Sequence, residues 1–403
     1  MRLKSSAVFL IASFGSLCSA TDRILKHGSP ESVGLLAEPL QQLPLNLSQY
    51  TIPANYGAPT HNAIHPIQPG GSVVIGHKST IVSAFAFGHT ILTKVFTAVA
   101  ALRAIDEGKL SLGKTVASYL PEFAANGKSN ITVLMLLTHT SGFAPDPLPG
   151  LYEAPYKTMQ QRVRAIIEHK LENAPGSTYT YSDLNFMNLR FLLEKVTKTP
   201  FEEYVYSFTR ELGMTSTFFN KGNNQFPSFH YYARMAPTEY QIEVLGDAEP
   251  KRLQPVRGTV HDENAWALDG VSGHAGLFSM AGDVAIFCQM ILNNGTYAGK
   301  QILKPETVDL MFTNFNTAFP GNEHSIGFEL NQSYFSGPMA NMLAGGHTGF
   351  TGTTLVVDRA SDTFMVMLAH RVYPSRNWAS NNIVREAIGY WVARSLGRDV
   401  SFP

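Results

Sequence analysis

The stretch Gly346-His347-Thr348-Gly349-Phe350-Thr351-Gly352-Thr353 leads into two runs, residues 353–357 and 363–370, that are rich in Val, Thr, Leu and Met. Closely spaced glycines punctuate local structure, while β-branched and large apolar residues suit a pleated, half-buried surface. The same signature recurs far upstream. Gly70-Gly71 opens two short β-rich runs, 72–75 and 81–87, separated by a turn around Gly76-His77-Lys78. Between these regions the apolar period changes. Val95, Phe96, Val99, Leu102 and Ile105 recur at helical spacing, and Gly108 is a fitting stop. Residues 160–171, 184–197, 201–212 and 281–292 also read as helices joined by long loops, and a last helix is expected over 381–396. Strands at both ends around a helical middle predict an α+β (mixed α/β) fold. An antiparallel sheet would be built from both termini and flanked by helices, with a mostly helical region inserted.

Composition narrows the function. Of 403 residues 44% are apolar and 15% charged, and 31 Lys plus Arg balance 31 Asp plus Glu. A net charge of zero argues against a nucleic-acid partner, which requires a basic excess or patch. The same balance with high apolar content excludes disorder. No internal repeat appears, and no basic cluster points to a membrane surface.

Residues 1–20 read as a secretory signal. Arg2 and Lys4 form the basic start, residues 7–17 an apolar stretch too short to span a bilayer, and Cys18-Ser19-Ala20 a small-residue cleavage site. A secreted chain with no membrane span follows. Cys18 leaves with the signal, so the mature chain keeps Cys288 alone, in an apolar helical run where a core role is expected. Sequons at Asn46, Asn130, Asn294 and Asn331 suit an extracellular glycoprotein. Residues 21–68 read as an irregular leader with one helix. Residues 69–400 read as the main domain, with sheet parts at about 69–92 and 340–400 around a helical region at about 93–339.

Several conspicuous patterns lead nowhere. Residues 108–115 match a phosphate-binding loop, but a helix precedes them where that loop needs a strand, so a nucleotide is not expected. Ser111-x-x-Lys114 lies in the same surface turn. No Gly-x-Ser-x-Gly elbow exists, because Gly270-Val271-Ser272-Gly273 is followed by His274. His61 and His65 have metal-ligand spacing but lack an accompanying Glu, and no metal or other cofactor is expected.

Three scattered elements form a more coherent set: Lys94 in the first turn of a helix, Tyr181-Ser182-Asp183 just before another, and His347-Thr348-Gly349 ahead of a strand. Taken singly they read as a solvated lysine, a core aromatic and a turn histidine. Together with Leu136-Leu137-Thr138-His139-Thr140-Ser141-Gly142, Ala174-Pro175-Gly176, Leu212-Gly213-Met214, Val260-His261-Asp262-Glu263-Asn264-Ala265 and Gly273-His274-Ala275-Gly276-Leu277-Phe278-Ser279, the chain resembles the serine β-lactamase-related family. That family includes class C β-lactamases, D-alanyl-D-alanine peptidases, esterases and acyltransferases, and the resemblance implies a β-lactamase/transpeptidase-like fold.

The resemblance also implies acyl-enzyme chemistry, which needs a nucleophile, a proton acceptor and oxyanion donors. By position, Lys94, Tyr181 and His347 would be catalytic. Asp183, Gly349 and Phe350 would contact a small-molecule or peptide-like acyl substrate, with the Phe350 N–H as one oxyanion donor. A neutral Lys94 would require a lowered pKa. The family serine stands three residues before the lysine, where residues share a helix face. Here that position is Ile91, and Thr90 is one register off. The connection from 87 to 94 reads as though a segment had been removed between intact flanks. Two outcomes are expected: a secreted serine hydrolase or acyltransferase whose message encodes the serine, or a non-catalytic binding protein of the same fold. Asp183 in place of the asparagine usual in lactamases, and His347 in place of a lysine, favour ester or peptide-like substrates over β-lactams. His261 and His274, in segments shared with a subgroup of that family, could line the pocket or stabilise loops, and a structural role with hydrogen bonds to loop backbone is expected for both.

Overall fold

The computed structural model describes residues 23–54, 64–86, 93–222, 232, 235–241 and 252–402. The signal region, His61, Phe87, Thr90 and Ile91 lie outside the described residues.

Seven strands form the main sheet: β1 (Lys26–His27), β2 (Gly71–His77), β3 (Thr80–Ala86), β4 (Glu329–Leu330), β5 (Ala344–Thr348), β6 (Thr354–Asp358) and β7 (Thr363–Ala369). Their spatial order is β1-β3-β2-β7-β6-β5-β4. Strands from the two ends of the chain meet at the β2–β7 ladder, from Thr363↔His77 to Ala369↔Gly71. All neighbours are antiparallel except β1, whose two residues run parallel to β3, so the sheet is mixed.

Strand side chains alternate between two cores, as pleating requires. Val74, Leu355, Val357, Phe364, Val366 and Leu368 face a large cluster with the helices α2 (Thr93–Asp106), α3 (Asp183–Thr197), α4 (Phe201–Glu211) and α5 (Ala281–Leu292). Val73, Ile75, Val356, Met365, Met367 and Ala369 face a second cluster. There the N-terminal helix Ala37–Gln49 packs on α6 (Asn382–Ser395) through Leu40, Leu43, Leu47, Val384 and Ile388. Both faces are covered, which explains strands that read as continuous apolar runs. Cys288 is buried in the first core. Among the described residues no helix is long and apolar enough to cross a membrane.

Two local departures from expectation have physical causes. The β2–β3 turn falls on Lys78 and Ser79, with φ of 46° and 64°, one step beyond the expected Gly76-His77-Lys78. Gly76 instead lies inside the strand at a register shift, because any Cβ there would sit 2.2 Å from the Phe364 ring. The helix expected over 160–171 spans Met159–Ile167. It stops because side chains take the next carbonyls: Asn126 Nδ2 donates to Glu168 O and Lys128 Nζ to His169 O.

Candidate active site

Lys94 is the second residue of α2, whose start is tied down by Leu277 N donating to Thr93 Oγ1 at 3.1 Å. Its ammonium reaches Asp183, the first residue of α3, with Nζ 2.7 Å from Oδ1, and it also lies 4.7 Å from the centre of the Tyr181 ring. Tyr181 is carried by a loop that His139 organises. His139 Nδ1 accepts from Ser182 N at 3.0 Å, its carbonyl accepts from Thr180 N at 2.9 Å, and its ring lies against that of Tyr181, tilted by 33° with centroids 4.5 Å apart. His139 is fully buried and adopts φ of 59°, a left-handed conformation set by this double role.

His347 lies on β5, opposite Leu355 of β6. Its Nδ1 is 2.7 Å from Thr348 O. A carbonyl only accepts, so Nδ1 carries the proton and Nε2 presents a lone pair. Tyr181 Oη, 3.5 Å away, is the donor facing it. Burial, reinforced by Lys94, pushes the His347 pKa down to about 3, so the ring is neutral. Burial pushes the Tyr181 phenol up to about 12 against the pull of Lys94.

Lys94 does not have the lowered pKa that a neutral amine would require. Burial by itself would lower its pKa, but the carboxylate of Asp183 and the phenol of Tyr181 outweigh it and hold the ammonium above its ordinary range. The charge chain continues. His274 Nε2 is 3.9 Å from Asp183 Oδ2 and 2.8 Å from Asp262 Oδ1, while its Nδ1 is 2.8 Å from Ser272 Oγ. Asp262 caps the helix Glu263–Ala267 by accepting from Ala265 N. Burial alone would lower the His274 pKa, but Asp262 and then Asp183 raise it. His274 in turn holds the Asp262 carboxyl well below its usual range against the cost of burial. Asp183, Asp262 and His274 bring three candidate metal-ligand atoms within 4.8 Å of one another. The Lys94 ammonium and the His274 N–H already engage the same carboxylates.

The expectation for His261 and His274 is therefore corrected. His261 bonds Glu239 Oε2 at 2.7 Å and stacks on Phe350, with centroids 5.8 Å apart. Both histidines are paired with carboxylates and both line the cleft. Arg376 clamps Glu239 and Glu263, and with His261 it holds Glu239 down at about 2 although burial would raise it.

Lys94, Tyr181, Asp183, His347, Gly349 and Phe350 all border one cleft of about 930 Å³. Gly349 N donates to Thr353 O at 2.9 Å, whereas the Phe350 N–H has no hydrogen-bond acceptor among the described residues. Residue spacing did not single out Asp262, Tyr179, Glu329 or Tyr334 as site residues, although all of them line the cleft. For Asp262 a signal existed, as an aspartate three residues before Ala265 is a helix cap. The others come from a loop, a two-residue strand and the four-residue helix Ser333–Ser336, with no periodic trace.

A family model described as Beta-lactamase matches residues 92–389. A "Putative D-alanyl-D-alanine carboxypeptidase" of Escherichia coli (strain K12) is 31% identical over 396 residues, covering 90% of this chain and 89% of that protein. Among solved structures, EstCE1, a hydrolase with promiscuous acyltransferase activity, superimposes with a TM-score of 0.64 at 22% identity, covering 88% of this chain and 98% of its own. A penicillin-binding protein homologue from Caulobacter crescentus gives 0.63 at 17% identity, covering 90% and 99%.

Proposed function

The chain belongs to the β-lactamase family, and from that premise we propose that the cleft is the acyl-transfer site of an exported serine hydrolase acting on ester or peptide-like amide substrates. The observation that carries this reading is the meeting of Lys94, Tyr181 and His347, from three distant stretches, around one cleft.

In this reading a serine hydroxyl attacks the substrate carbonyl and gives its proton to the Tyr181 oxygen as the Tyr181 proton moves to His347 Nε2. The Phe350 N–H supports the oxyanion. Lys94, fixed as an ammonium, lowers the cost of negative charge on the Tyr181 oxygen. Water or a second acceptor then releases the acyl group, giving hydrolysis or acyl transfer. The serine belongs three residues before Lys94, and we assign its loss to a splice boundary misplaced between the codons for residues 87 and 94. Export follows from the signal over 1–20, and glycosylation from Asn130 and Asn331, both exposed.

One observation favours a second reading. Ile91 has neither a proton to lose nor a lone pair, so the chain as written binds acyl compounds without forming an acyl-enzyme. A fluorophosphonate probe on the secreted protein separates the two. Covalent labelling together with a transcript encoding Ser-x-x-Lys supports the hydrolase. An unlabelled protein with an unbroken message for Ile91 supports the binding protein.

A further inference from the structure

Glu329 is one of the cleft's carboxylates without an ion-pair partner, and the one that lies beside His347. It sits on β4, paired with Gly346 of β5, one residue from His347. Its Oε2 accepts from Tyr334 Oη at 2.9 Å, and that phenol is a neutral partner. Among the described residues no ion pair reaches Glu329. Of the cleft's cations, Lys94 is paired with Asp183 and Arg376 with Glu239 and Glu263, whereas Arg385 donates to the neutral carbonyls of Gly349 and Thr353. Arg371 donates through Nε to Phe350 O. His347 is neutral and offers only a lone pair. A substrate ammonium entering the cleft beside His347 meets an acid that no ion pair neutralises among the described residues.

The walls strengthen that attraction. Tyr179, Tyr181 and Tyr334 line the cleft with Glu329. Aromatic faces attract a desolvated cation, and a carboxylate among such rings is a recurring way to hold an ammonium. Burial raises the Glu329 pKa against the pull of Tyr334, Lys94 and Arg385, and burial, then Glu329, raises those of Tyr179 and Tyr334.

We propose that Glu329, framed by Tyr179, Tyr181 and Tyr334, is the subsite for a protonated amine, so that the preferred ligands are amine-bearing esters or peptides and not chains ending in a free carboxylate. This rests on reading the cleft as an acyl-substrate site.

Three probes test it by calorimetry on the full mature chain: alanyl-alanine methyl ester, its N-acetyl derivative and N-acetyl-alanyl-alanine, each in D and L forms. The free-amine ester should bind about tenfold tighter than its acetylated form, and the acid weakest. Glu329→Gln, which keeps an acceptor for Tyr334, should bring the amine-to-acetyl ratio close to one. Should that variant fail to fold, added salt must still weaken the amine ester selectively in the unmodified protein. Equal binding of amine and acetyl forms, or a preference that survives Glu329→Gln, overturns the inference and leaves the acyl-site reading standing. Binding by none of the three removes both.

Discussion

Lys94 Nζ lies 2.7 Å from Asp183 Oδ1, in a pair of mostly buried side chains that begins a chain of alternating charges through His274 to Asp262. This relationship explains why an aspartate is tolerated where lactamases carry an asparagine. The carboxylate is flanked by an ammonium and an imidazole whose pKa is raised, so its charge is matched inside the cleft. The same pair makes Lys94 a fixed cation beside the Tyr181 ring.

Asp183→Asn should leave Lys94 buried without its counter-ion. Breaking one side of such a pair costs about 3 kcal/mol. The melting temperature should fall by several degrees, while Lys94→Met/Asp183→Asn recovers part of the loss. A single variant as stable as the native protein would show that the pair contributes nothing.

The His274–Asp262 pair should give stability a defined pH window. Asp262 is depressed, so its contribution is present above the unfolded carboxylate pKa of about 3.9 and is lost as pH falls through the lower folded value. His274 is raised, so its contribution is complete below about 6.5 and is lost as pH rises through the higher folded value. Chemical denaturation of Asp262→Asn should therefore differ most from the native protein between about pH 4 and 6.5. A difference that is flat from pH 4 to 9 refutes the linkage.

His139→Ala removes the acceptor for Ser182 N and the ring beneath Tyr181. We expect a loss of about 3 kcal/mol from the cavity and the orphaned N–H together. Tyr181 fluorescence should shift as its support goes, and an unaltered unfolding midpoint in urea would contradict this account.

Gly76→Ala places a methyl group on the Phe364 ring at the centre of the sheet. Overpacking of this kind costs about 2 kcal/mol. Combining it with Phe364→Leu should cost less than the sum of the two single changes, and strict additivity in a double-mutant cycle would show that the two positions do not touch.

Much of the fold is legible in the sequence because it follows from periodicity. The residue 281–292 run is a helix over those same positions; of the two C-terminal β runs, the first is shifted by one residue from the strand Thr354–Asp358 and the second ends one residue beyond the strand Thr363–Ala369. What escaped were boundaries set by distant groups. Lys128 and Asn126 end a helix some forty residues later in the chain, and Phe364 reserves position 76 for glycine. In the site, Lys94, Tyr181 and His347 were legible because each belongs to a short motif. Glu329 and Tyr334 were not, since they belong to none.

The sequence by itself determined that β-rich ends enclose a helical middle, because spacing along the chain dictates which side chains share a face, and a resemblance of motifs pointed to Lys94, Tyr181 and His347. Only the tertiary structure decided how charge is shared among them. The protonation of Lys94, the tautomer of His347, the carboxylate partners of His261 and His274 and the raised pKa of Glu329 all depend on burial and on partners far away in sequence. Electrostatic energy follows distance through space and local solvation, neither of which is written in the order of residues.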